Sequence, residues 1–98
     1  MRNMTPLVID FSSLLVEKVI SVYERVDARR SVANVIHGGT SDIGLDDWAR
    51  ALYYSEKPLA LSVEFIPEFR RIIASSGLVA YIKRAILALV DEHVKKHV

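Results

Sequence analysis

His37-Gly38-Gly39-Thr40-Ser41 is the stretch where an imidazole, two glycines and two hydroxyls stand together. Ahead of a helix, backbone amides and hydroxyls of this kind can hold a phosphate or sulfate. Phosphate-binding loops also need a lysine and a preceding strand, and neither is expected here. Asp42, Asp46 and Asp47 add repulsion for an anion at the same place. The stretch therefore reads as a turn, with Gly38 or Gly39 as a left-handed helix cap and Ser41 or Asp42 capping the next helix.

The remaining chemistry-bearing residues are scattered. His93 and His97 are four apart, a spacing that chelates a metal from one helical face. A third ligand would have to come from elsewhere, so no metal is expected. Arg30 and His37 read as a solvated arginine and a loop histidine. Asp46-Asp47 and Asp91-Glu92 are adjacent pairs, which splay apart on a helix and cannot share a substrate. The chain carries no cysteine, so thiol catalysis, disulfides and cysteinyl metal sites are excluded together. No catalytic residue and no cofactor is expected, and the chain reads as a non-enzyme.

The basic residues offer more. No acid occurs between Glu68 and Asp91, while Arg70, Arg71, Lys83 and Arg84 do, with Tyr81 beside them. Two helices joined at Gly77 would place these charges on one surface. Arg29, Arg30, Arg50 and Lys57 extend it, and Tyr53 or Tyr54 offers a ring for stacking a base. Such a surface would bind the backbone of DNA or RNA, with marked salt dependence. No helix-turn-helix, zinc-finger or RNA-recognition signature sharpens that reading.

The elements that would position these groups follow from apolar spacing. Val8, Phe11, Leu15, Val19, Val22, Val26, Ala33 and Ile36 recur in steps of three, four and seven, the spacing of one helical face. Ile9, Val16, Ile20 and Tyr23 make a second stripe. With Thr5-Pro6 as its start, this spacing predicts a long N-terminal helix over 5–36, bent near Asp27–Arg30. Shorter helices are expected at Leu45–Tyr54 and Glu68–Ser75, and a second strong helix at Leu78–His97. Leu59–Ile66 fits a helix better than a strand. Its alternation leaves a short strand possible, partnered by Leu7–Phe11 or by a second copy. The expected fold is all-α, a single domain over 1–98 built as a small bundle of four to five helices.

A helix apolar over more than half its circumference exposes more than one neighbour covers. Phe11, Leu15, Val16, Val19, Ile20 and Tyr23 are therefore the expected self-association residues. The leading functional reading is an assembly or adaptor protein acting as a homodimer or other homo-oligomer, alone or with a partner in a complex. The alternative is a small nucleic-acid-binding protein using the basic residues around 70–84.

Composition agrees with a folded, balanced chain. Hydrophobic residues make up 51%, enough for a core, and the net charge is +1, which demands no polyanionic partner. No apolar run approaches the roughly 20 residues of a membrane span. No signal peptide is visible, and a cytoplasmic location is expected. Gln is absent and Asn occurs only at Asn3 and Asn34, a pattern common in thermophile proteins.

Overall fold

In a computed structural model that describes residues 6–97, the chain is mixed α and β. Strands β1 (Leu7–Ile9), β2 (Leu14–Val19) and β3 (Val22–Val26) come first. Helices α1 (Arg29–Gly39) and α2 (Ile43–Tyr54) follow. Strand β4 (Leu59–Leu61), a 3-10 turn (Val63–Phe65), and helices α3 (Ile66–Ser75) and α4 (Ala80–His97) complete it. The all-α helical bundle with one long N-terminal helix is overturned: of that expected helix, only the part from Arg29 onward is helical. Met1–Met4, expected as a frayed end, and the Thr5 cap lie outside the described residues.

The physical reason lies in residue type and in three local turns. Val8, Ile9, Val16, Val19, Ile20, Val22 and Val26 are β-branched, and such side chains pack well on a pleated strand and lose freedom in a helix. Asp10 accepts hydrogen bonds from the Ser12 amide (2.9 Å) and hydroxyl (2.5 Å), an Asx-type turn that stops β1. Ser21 has φ 69°, and its amide donates to Glu17 Oε2 at 2.7 Å, closing the β2–β3 hairpin. Asp27 accepts from the Arg29 amide at 3.1 Å and so starts α1 afresh.

Burial alternates accordingly. Leu7 and Ile9 point inward and Val8 outward; Leu14 and Val16 point inward and Leu15 outward. Because both strand faces carry apolar residues, the same letters also satisfy a wide helical arc, and periodicity alone misleads.

β1 pairs antiparallel with β4, Leu7 opposite Leu61 and Ile9 opposite Leu59. This is the strand alternative for the 59–66 segment, with the partner expected for it, over three residues. Pro67 then stands in the first turn of α3, where its missing amide hydrogen costs nothing. β2 and β3 form a separate two-stranded sheet.

The core is apolar throughout, and no buried polar or charged residue occurs among the described residues. At its centre Phe11, Trp48 and Phe69 meet with ring centroids 5.8–6.3 Å apart. Ile36, Leu45, Leu52, Leu61, Ile73, Ile86 and Val90 surround them. Gly39 lies in α1 without positive φ; a Cβ there would stand 2.7 Å from Ile72 Cγ2. The left-handed cap expected of the Gly pair is thus absent, and what Gly39 supplies is close approach of α1 to α3. Asp42 caps α2 as expected, accepting from the Gly44 and Leu45 amides at 2.8 and 3.3 Å.

Candidate functional site

The hairpin and α4 together form a groove. In the β2–β3 register Leu14 faces Val26 and Leu15 faces Arg25. Leu15, Glu17, Tyr23 and Arg25 consequently share the outer face. Tyr81, Arg84, Ala85, Ala88, Leu89 and Glu92 come from one flank of α4, as their steps of three and four require. These two sets line a groove of about 560 Å³. Its floor is aromatic and aliphatic. Its rim holds two acids, Glu17 and Glu92, and two bases, Arg25 and Arg84.

The apolar excess continues to the hairpin tip. Val19, Ile20, Val22 and Tyr23 are 57–87% exposed, and Ile20 is the most exposed of them. Two central turn residues separate β2 from β3, a place where glycine or asparagine is usual. Here the tip instead presents isoleucine to solvent beside the left-handed Ser21.

The structure divides the residues expected to associate. Phe11 and Val16 are buried in the core and cannot meet a partner. Leu15, Val19, Ile20 and Tyr23 are exposed, on a hairpin rather than on a helix.

The basic residues are dispersed. Arg70 pairs with Asp91, and Arg71 lies 3.9 Å from Glu68. Lys83 donates its ammonium to the Ala74 carbonyl at 3.0 Å. Arg84 and Tyr81 turn to the hairpin groove. Arg29 is held by Asp27 at 2.6 Å and by the Ser55 carbonyl. Its two contacts draw the Asp27 carboxyl down to a pKa of about 2, the Arg29 side chain contributing most and its amide next. Arg30 lies over the Tyr53 ring, 5.2 Å from the centroid.

His93 donates its Nδ1–H to the Leu89 carbonyl at 2.9 Å, an in-helix contact; the His97 side chain lies outside the described residues. Among the described residues no three ligating side chains gather as a metal site would require. Likewise, no helix among them is long and apolar enough to cross a membrane.

Two constellations escaped sequence reasoning. One is the charged rim of Glu17, Arg25 and Glu92, which needed the hairpin to be recognised. The other is His37 with Asp46 and Arg50, where α1 meets α2. The His37 and Arg50 hydrogen bonds lower the Asp46 pKa, with His37 the larger cause. The i, i+4 spacing of Asp46 and Arg50 was a visible signal for half of that cluster.

No family model matches the chain, and neither curated proteins nor solved structures yield a match.

Proposed function

We propose that the chain is a non-enzymatic assembly protein that associates with a second copy of itself through the β2–β3 hairpin and the adjoining flank of α4. The observation that carries this is the exposure of Leu15, Val19, Ile20, Val22 and Tyr23 on one hairpin. Leu15 and Tyr23 lie on its outer face, Val19 and Val22 on the other and Ile20 at the tip, so the end of the hairpin is apolar on both sides.

Charge favours a copy of the same chain over an acidic or basic partner. The groove rim balances two carboxylates against two guanidiniums. A two-fold axis presents the same patch to itself, so each acid can meet a base of the other copy. A strongly charged partner would satisfy one pair and repel the other.

Magnitudes set the strength. Covering five half-exposed side chains on each of the two copies gains roughly 1–1.5 kcal/mol apiece, about 10–15 kcal/mol in all. Association costs at least about 4 kcal/mol in lost freedom of motion. The balance corresponds to a dimer of micromolar rather than nanomolar affinity. Sedimentation equilibrium at tens of micromolar should give twice the chain mass, and Ile20→Asp should return the monomer with an unchanged circular dichroism spectrum. A wild-type chain that sediments as a monomer at that concentration would end the proposal. The cytoplasmic setting expected from the cysteine-free sequence belongs to the same reading.

A further inference from the structure

We propose that the face shared by α1 and α2 binds a nucleotide through its phosphate. Arg30, Asn34 and His37 recur on α1 in steps of four and three, which places them in one row. Asp46, Arg50 and Tyr53 do the same on α2. The helices run antiparallel, so the rows meet as rungs. His37 bonds Asp46 at one end, and Arg30 covers Tyr53 at the other. Between these rungs Asn34 and Arg50 line a depression of about 250 Å³, with Tyr54 at its edge.

The bonding leaves donors without acceptors. The Asp46 carboxylate accepts from both His37 Nδ1 and Arg50 Nε, the latter at 3.3 Å, so its charge is already engaged. Arg50 keeps both terminal nitrogens and Asn34 keeps its amide; neither group has a hydrogen-bond partner among the described residues. A guanidinium fork beside an amide matches the oxygens of a phosphate. Arg30 adds a second positive charge. Of the other acids nearby, Asp27 is held by Arg29 and Asp42 by the α2 amides, while Glu56 lines the far end beyond Tyr54, away from the Asn34–Arg50 donors.

The aromatic pair adds the second half of the ligand. Tyr54 is 80% exposed and braced edge-on by Tyr53, with centroids 5.0 Å apart. It is a platform on which a base can stack, next to the phosphate donors. A second depression of about 500 Å³, lined by Arg30, shares both tyrosines with the first and leaves room for a sugar and base. Phosphate and base are found together both in a free mononucleotide and in a single strand. Neither depression shares a residue with the hairpin groove, so this proposal stands independently of self-association.

The test is an amide NMR titration of the whole chain with inorganic phosphate, adenosine 5′-monophosphate and a short oligoadenylate, each at millimolar concentration. Adenosine monophosphate should shift Asn34, His37, Arg50 and Tyr54. Arg50→Ala, at an exposed position, should weaken that binding about tenfold, the value of a charge-assisted hydrogen bond. Tyr54→Ala should weaken the nucleotide several-fold and leave inorganic phosphate unchanged. Tighter binding of the oligoadenylate at the same amides would identify the source as a single strand; equal binding would identify a free nucleotide. No shift at these amides with any of the three probes, or an Arg50→Ala titration equal to wild type, would overturn it. Arg70→Ala, which lines neither depression and pairs with Asp91, should change nothing, and a loss there would overturn the placement.

Discussion

Single residues decide where elements begin and how closely they approach. Asp27 holds both the amide and the guanidinium of Arg29 at the head of α1. Asp27→Asn keeps an oxygen for the Arg29 amide but removes the charge facing the guanidinium, so it should lower stability by under about 1 kcal/mol, the range of an exposed ion pair, in urea denaturation at neutral pH. The sign of the pH dependence follows from its depressed pKa. The contribution is fully present above the ordinary carboxylate range and is lost as pH falls through about 2. Wild type and variant should converge in strong acid. The two neighbouring glycines should behave oppositely. Nothing lies within 4 Å of a Cβ added at Gly38, whereas one at Gly39 meets Ile72 at 2.7 Å. Gly38→Ala should stabilise by up to ~1 kcal/mol through helix propensity. Gly39→Ala should destabilise by about 1–3 kcal/mol through overpacking, and thermal melts of the pair measure the difference.

The elements differ in how much of each was legible. The helices after Gly39 were legible because their signals are local and agree: Asp42 as a cap, Pro67 in the first turn, Gly77 after the end. The segment before Arg29 was not, because apolar residues on both faces of its short strands also fill a broad helical arc. What separates the two readings there is the turn chemistry of Asp10, Ser12 and Ser21, polar residues that equally suit a helix surface. The groove was illegible for the same reason, since its rim residues face one another only across the hairpin. For the basic residues the sequence does not show the local partners: Arg70 pairs with Asp91, Arg71 lies 3.9 Å from Glu68, and Lys83 donates to the Ala74 carbonyl. Strand alternation gives a sharp check. Ile9→Ala should cost about 2–4 kcal/mol, as for a fully buried aliphatic, while Val8→Thr should cost under about 0.5 kcal/mol. A continuous helix would have made both costly, because both stripes of its wide arc were apolar.

At the scale of the whole molecule, an apolar core and an apolar rim make different demands. The core residues are covered within the chain, with a radius of gyration of 13.1 Å, the value expected for a compact domain of about 100 residues. The chain leaves Leu15, Val19, Ile20, Val22 and Tyr23 of the hairpin uncovered. If the proposed dimer covers them, the melting temperature of the wild type should rise with protein concentration while that of Ile20→Asp stays constant. The absence of Gln and scarcity of Asn lead to a further expectation, a melting temperature above the ~45–65 °C of mesophile domains; differential scanning calorimetry measures both.

The pairing of Leu7–Ile9 with Leu59–Leu61, and the seating of β1 against α4, have a consequence for biosynthesis. The first strand leaves the ribosome long before either surface that covers it has been translated. Until then Leu7, Ile9 and Phe11 travel beside the β2–β3 segment, whose buried side also waits for α4. Nascent chains arrested before residue 59 should consequently bind chaperones more strongly than full-length chains do, and the unsheltered interval ends only when the last helix arrives.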